Sequence, residues 1–285
     1  MKQTLAHDNH NPDLLSLIPK QSSYLIEVGC SNGALAREYK KINHKAYYVG
    51  IDIEKSYLDK AKEYCNEVIC LNIDDASIEF YNKYKNCDCW IFSDALEHTK
   101  NPWEILKKIR SVISNSGSVI ACIPNAQHWS IQAKLSIGDF RYENIGLLDK
   151  THLRWFTRQT INEMFTNSGF EVVEVLSRVF NEPQKDEFLP IIRQLALKAG
   201  AKEHQLNSNI NDAIPNQYVI RAKAYVSNVR SKTKSVTTKY ETYFKRVKPG
   251  FLEVIFQKIK RNFIVITIAA VFIFILGLVA GLLII

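Results

Sequence analysis

Between residues 23 and 226 short apolar runs alternate with stretches of helical periodicity, and this alternation limits the fold more than any other feature of the chain. Strand-like runs lie at 24–28, 46–51, 67–71, 87–92 and 118–123. Helical patterns fill 34–42, 56–65, 78–83 and 102–113, the last with Asn101 placed to cap it and Pro102 at its first position. Apolar strands separated by helices imply a parallel sheet covered on both faces, a doubly wound α/β fold. Past residue 123 the alternation loosens. Residues 124–150 carry Trp129, Phe140 and Tyr142 with Gly138 and Gly146, and read as a loop-rich insert. A helix over 158–168 stops at Gly169, a strand follows at 171–176, and a helix over 187–198 closes at Gly200. Residues 201–215 are polar and predict no fixed element, and 217–225 alternates as a final strand does. Residues 1–22 read as a loose polar lead-in with one helical turn at 14–18.

Charge divides the remainder. The net charge of +8 resides wholly in residues 227–262, where ten Lys and Arg meet only Glu241 and Glu253. Residues 263–285 carry no charge and are rich in Ile, Val, Leu and Phe. As a helix they span about 34 Å, against a hydrocarbon core of roughly 30 Å. The expectation is a transmembrane helix that ends the chain. Lys258, Lys260 and Arg261 on its N-terminal side predict a cytoplasmic folded domain, hence a single-pass tail anchor. The basic segment 227–262 is then a juxtamembrane linker drawn to anionic headgroups, and it lacks the clustered aromatics of a nucleic-acid surface. The six cysteines sit in or beside apolar runs. Cys87-Asp88-Cys89 has the wrong spacing for a zinc knuckle, so reduced core thiols are expected. The N-terminus has no apolar signal region.

The stretch Tyr24 to Ala34, YLIEVGCSNGA, is a strand, a glycine turn and a helix start. Gly29 and Gly33 stand where backbone passes close to a ligand or takes positive φ, and the helix presents its free N–H groups to the turn. A dinucleotide site wants a second glycine at position 31, where this chain has Ser31. It has instead an acid, Glu27, two residues before the turn. That acid repels a pyrophosphate and accepts hydrogen bonds from a positively charged amino acid.

Glu27-Val28-Gly29-Cys30-Ser31-Asn32-Gly33 resembles the first motif of class I S-adenosylmethionine (AdoMet) dependent methyltransferases. Three further landmarks follow in order: Asp52-Ile53 after the second strand, Asn72-Ile73-Asp74 after the third, and Ser93-Asp94 after the fourth. The resemblance covers residues 23–226. It implies a Rossmann-like, seven-stranded, mostly parallel sheet whose last strand is antiparallel, and AdoMet as cofactor. By the same resemblance Glu27, Gly29, Cys30 and Gly33 form the cradle. Asp52 takes the ribose diol with Ile53 beside it, Asn72, Ile73 and Asp74 hold the adenine, and Ser93 and Asp94 lie beside the methionine part.

AdoMet is already a strong methylating agent, so the protein must align a nucleophile and, for a hydroxyl, remove a proton. The candidates are His152 as general base, Asp149 as base or orienting partner, and His128. The segment 147–157, with Pro124-Asn125 and His128-Trp129 before it, resembles one placed over the substrate pocket in the ubiquinone-type and glycan-associated bacterial branch of these enzymes. Asp94-x-x-Glu97-His98 with His152 is also similar to the Glu-x-x-Glu-His…His set that holds Mg²⁺ in small-RNA 2′-O-methyltransferases, and related groups occur in ubiquinone O-methyltransferases. Asp94 stands where the first Glu would, with a shorter reach, so no resident metal is assigned. The expected activity is O-methylation of a membrane-associated small molecule: a quinone precursor, a lipid or a lipid-linked saccharide. Two rivals are a membrane-anchored scaffold with a vestigial site and an RNA methyltransferase.

Overall fold

A computed structural model describes residues 8–225. The segments 227–262 and 263–285, read above as linker and anchor, lie outside the described residues. Among the described residues no helix is long and apolar enough to cross a membrane.

Seven strands form one sheet in the order β3-β2-β1-β4-β5-β7-β6. They are β1 (Tyr24–Val28), β2 (Tyr47–Asp52), β3 (Glu67–Cys70), β4 (Cys89–Ser93), β5 (Ser118–Pro124), β6 (Phe170–Arg178) and β7 (Gln217–Ala224). The first five pair in parallel, and β7 runs antiparallel to both β5 and β6. Strand order reverses between β1 and β4, which opens a crevice at their carboxyl ends, the usual ligand position in doubly wound sheets.

Strand side chains alternate between two cores. Ile26, Val28, Val49, Trp90 and Phe92 face α4 (Ile78–Lys83), α5 (Pro102–Val112) and α7 (Arg158–Asn167) through Tyr81, Leu106, Ile109 and Phe165. Leu25, Tyr48, Cys89, Ile91 and Cys122 face α1 (Pro12–Leu17), α2 (Ala34–Ile42) and α3 (Lys55–Ala61). Five cysteines are buried, all six are free, and Cys70 is exposed. The α5 start follows local chemistry: the Asn101 side chain accepts from Glu104 N–H with Pro102 in the first turn.

Three segments differ from the sequence expectation. The lead-in is ordered from residue 8, and Leu14, Leu17 and Ile18 of α1 and its end are buried in the second core. Six residues are too short for periodicity to register, yet Asn11 caps the helix through Asp13 and Leu14 N–H, and the apolar side bears on the sheet. The insert contains α6 (Trp129–Ser136), and the polar stretch beyond Gly200 contains α9 (Glu203–Asn211), paired with α8 (Lys185–Lys198). Buried anchors, Trp129 and Ile131 in α6 and Leu206 in α9, supply what the pattern lacks.

If α1 is part of the core, Leu14→Ala lowers stability by about 2–5 kcal/mol, the range for a buried leucine. Equilibrium denaturation of the full chain measures this, and a loose lead-in would leave the midpoint unchanged.

Candidate active site

At the carboxyl end of β1 the chain turns sharply. Gly29 has φ +78°, and a Cβ there would stand 3.0 Å from the Ser93 carbonyl oxygen. Gly29 and Cys30 N–H both donate to the Ile51 carbonyl, at 2.9 and 3.1 Å. The turn is thereby pressed between the ends of β2 and β4. Ser31 takes φ +48°, a costly conformation for a residue with a side chain, and its N–H donates to Asp52 Oδ2 at 2.8 Å.

Glu27 shares a face with Leu25 because side chains alternate, so it points into the sheet's α1–α3 side and is 2% exposed. Tyr48 Oη donates to Glu27 Oε2 (2.9 Å) and Ser93 Oγ to Oε1 (2.7 Å). Burial pushes its carboxyl up to about 7. The two hydroxyls oppose that rise and the Asp52 charge adds to it. Asp52 accepts a second N–H, from Glu54 at 2.9 Å. Burial raises its carboxyl while the backbone donors pull it back.

These groups line a cavity of about 600 Å³. Glu27, Gly29, Cys30, Asp52, Ile53, Asn72, Ile73, Ser93, Asp94, Asp149 and His152 all reach it. Gly33, Asp74 and His128 do not. A Cβ on Gly33 would meet Ala61 Cα at 3.0 Å, so this glycine lets α2 pack on α3. Asp74 turns its carboxylate onto Lys100 N–H, 3.0 Å from each oxygen, and closes a loop. His128 is buried at the start of α6, where Nδ1 lies 2.8 Å from Ser130 Oγ and Nε2 3.3 Å from Glu182. Burial lowers its imidazole pKa, and its surroundings are those of a structural histidine.

The far half of the cavity is built by the turn after β4 and the segment 147–152. Glu97 is 1% exposed and neither carboxylate oxygen has a hydrogen-bond partner. Burial, Asp94 and then Asp149 drive its carboxyl well above the ordinary range. Its backbone carbonyl accepts from Leu153 and Arg154 N–H, at 2.8 and 3.0 Å, and so holds the overlying segment in place. His98 Nδ1 lies 3.1 Å from the Thr151 carbonyl and His152 Nδ1 lies 3.3 Å from the Leu147 carbonyl. As donors to those carbonyls the Nδ1 atoms carry the protons, which leaves each Nε2 lone pair free. The two rings meet edge-on at 4.8 Å between centroids. Burial, then the neighbouring His98, lowers His152 to about 4, so it is neutral at pH 7.

Burial works to raise the Asp149 carboxyl, but the Thr151 hydroxyl and N–H, with His152 and His98, hold it below its ordinary value. Asp94 sits at φ +49° and accepts from Gln217 Nε2 at 2.6 Å. It is exposed and lines the cavity. Protein packed behind it raises its carboxyl, against the lowering effect of Cys122, Arg178 and His98. Ligand atoms of Glu97, His98 and His152 lie within 4.8 Å of one another, and Asp94 is not in that group.

Among the described residues the lining holds five carboxyl groups and no Lys or Arg. A cavity of this charge suits a cationic guest. AdoMet fits on that count: it brings a sulfonium and an ammonium, a diol for Asp52, and an amino-acid end for the buried polar atoms around Ser31 and Asn32, which lack partners. Asn32, which stands in the first motif with no role given to it by the resemblance, also lines the cavity, as do Asn9, Asn11, Phe180, Asn216 and Gln217 outside the motifs. All but Asn32 arrive from chain segments far from the motifs, so no local signal marks them.

Comparison with known proteins bears on the same cavity. A family described as a methyltransferase domain matches residues 4–175. No curated protein matches the chain. Among solved structures, the chain is similar to the methyltransferase in complex with the Haloferax volcanii Trm112 methyltransferase activator. That match has 13% identity and a TM-score of 0.50, and covers 75% of this chain and 88% of that one. It is similar also to an S-adenosylmethionine dependent methyltransferase from Listeria monocytogenes, with 15% identity and a TM-score of 0.50 over 75% and 97% of the two chains. A third, from Mesorhizobium loti, has 15% identity and a TM-score of 0.50 over 74% and 96%. At such identities these likenesses establish the fold alone, and the family match carries the activity. The chain belongs to the methyltransferase-domain family, as an enzyme of the class I fold that takes its methyl group from S-adenosylmethionine.

Proposed function

We propose that this enzyme is an O-methyltransferase whose acceptor is a small molecule held at a membrane face and presents no anionic group to the cavity. The observation that carries the reading is the far half of the cavity. There a neutral His152, the Glu97 carboxyl and the Asp149 carboxylate face the space left for an acceptor, with no Lys or Arg among the described lining residues. Bound AdoMet supplies an electrophilic methyl on a sulfonium. The chain's own work is to align an acceptor oxygen and take its proton, for which the free Nε2 of His152 is the candidate base. Asp149 keeps the segment in shape through Thr151 and lends negative charge beside the imidazole. Asp52, Glu27 and the Gly29 turn hold the cofactor. The membrane part rests on the uncharged residues 263–285 and the basic residues before them. A quinone precursor, a lipid or a lipid-linked saccharide meets these conditions where its reacting end is neutral. An RNA acceptor is disfavoured, because among the described lining residues a polyanion would meet five carboxyl groups and no Lys or Arg.

A second reading has its own support. Glu97 with both oxygens bare, and two imidazoles whose Nε2 lone pairs are free, form a donor set fit for a divalent cation. Such an ion would be held by Glu97, His98 and His152, and would make an acceptor hydroxyl more acidic.

Incubation of the full chain with labelled AdoMet and fractionated membranes tests the proposal: label is expected in a lipid-extractable small molecule. Label found only in RNA or protein would overturn it. In that assay His152→Ala is expected to lower turnover by about 10²–10⁴-fold with cofactor affinity little changed, whereas His128→Asn, which preserves the helix cap, keeps it within a few-fold. Chelation with dialysis separates the two readings. Full activity in metal-free protein excludes the cation, and loss restored by Mn²⁺ or Zn²⁺ supports it.

The raised Glu27 pKa has a defined sign. Between about 4.5 and 7 the folded cofactor-free protein holds a proton that the unfolded chain has lost, so this residue makes stability fall as pH rises through that window. Glu27→Gln should remove up to about 3 kcal/mol of that fall, read as the pH dependence of the denaturation midpoint.

A further inference from the structure

One wall of the cofactor cavity comes from the segment just before α1. Asn9, His10 and Asn11 line the cavity. The arm is latched onto the first motif and its neighbours. Asn32 Nδ2 donates to Asp8 Oδ1 at 2.7 Å, the Arg37 guanidinium donates to the Asp8 carbonyl at 3.1 Å, and the Lys60 ammonium pairs with the Asp8 carboxylate.

The orientation of Asn11 is settled by its role as helix cap. Its Oδ1 accepts from Asp13 N–H at 3.0 Å and from Leu14 N–H at 3.3 Å. With the oxygen committed to α1, the amide nitrogen points the other way. Nδ2 is buried and has no partner. Asn32 is the converse case. Its nitrogen is spent on Asp8, and its Oδ1 is left buried without a donor in a residue only 7% exposed. Ser31 Oγ, on the same turn, is buried and unpartnered as well. A buried polar atom that nothing meets is costly, and native proteins keep few of them. Here a bare donor and two bare polar oxygens border one cavity. That pattern calls for a ligand end that offers an acceptor and a donor together. The α-carboxylate and α-ammonium of AdoMet are such an end, and among the described residues no Lys or Arg lines the cavity to take the carboxylate.

We propose that the arm from Asp8 to Asn11 recognises the amino-acid end of AdoMet, with Asn11 Nδ2 donating to its carboxylate and Asn32 Oδ1 accepting from its ammonium. The proposal rests on the assignment of this cavity to the cofactor. Asp8 is a positioning residue in it, since it touches the ligand wall only through Asn32 and the latch to α2 and α3.

Two ligands separate recognition of the amino-acid end from a general effect on folding. S-adenosylhomocysteine carries that end, and 5′-methylthioadenosine keeps the nucleoside and lacks it. Asn11→Asp retains an oxygen to cap α1 and replaces the N–H donor with an acceptor. Calorimetry on the full chain is expected to show S-adenosylhomocysteine binding weakened at least tenfold by Asn11→Asp, with 5′-methylthioadenosine within about twofold of wild type. Asp8→Ala should give the same asymmetry at several-fold. Wild-type affinity for S-adenosylhomocysteine in Asn11→Asp would overturn the proposal. Equal loss of both ligands would also overturn it, since the residue would then act through the fold. Failure of the wild-type chain to bind either ligand would instead bring down the cavity assignment on which it stands.

Discussion

The buried carboxylate of Glu27 is the point at which fold and site become one structure. It sits on β1, the strand beside which the sheet order reverses, and it accepts from Tyr48 on β2 and Ser93 at the end of β4. Three adjacent strand ends are therefore tied through one side chain that burial disfavours as an anion. A carboxylate in that state gains most from a cation nearby. The same group that makes the cofactor-free protein less stable at neutral pH makes the cavity attractive to a sulfonium compound, a common exchange of stability for function.

The far half of the site follows a similar logic. Glu97 is left without hydrogen-bond partners, and its backbone carbonyl fastens the segment that carries Asp149 and His152. Carboxyl groups are concentrated around Asp94, Glu97 and Asp149, of which Asp149 is held below its ordinary value, and the two imidazoles beside them present bare nitrogens. Desolvation in this half keeps His152 neutral and Glu97 hungry for a proton or a cation. A guest entering here meets carboxyl groups and an uncharged imidazole, with no Lys or Arg among the described lining residues.

Much of this was legible in the chain. The run from Tyr24 to Ala34 announces a strand, a turn and a helix because Gly29 and the apolar residues before it act locally, and Glu27 and Asp52 stand in the last residues of β1 and β2. Cys30, Ile53, Asn72 and Ile73 reach the cavity for the same reason. Other positions mislead. Gly33 looks like part of the ligand cradle, yet it is needed for contact with Ala61. Asp74 follows a strand end as a ligand would, and spends its carboxylate on Lys100 N–H. His128 carries a reactive side chain, and capping and a nearby Glu182 bury it away from the cavity. In each case the residue type suits two roles, and only a distant neighbour chooses between them.

By itself the sequence determined the alternation of strands and helices, the parallel sheet and the place of the glycine turn. Period, turn chemistry and strand-end acids depend on residues a few positions apart. It determined also that residues 263–285 carry no charge and that the excess basic charge precedes them. Tertiary structure alone decided that Asn11 and Asn32 share a cavity with Glu27, that Gln217 takes up Asp94, and that Glu97 stands beside His98 and His152 with its oxygens bare. The meetings of Asn11 with Asn32, of Glu97 with His152 and of Asp94 with Gln217 join residues far apart in the chain. They follow from how the two faces of the sheet are covered and where its order reverses, which no local pattern encodes.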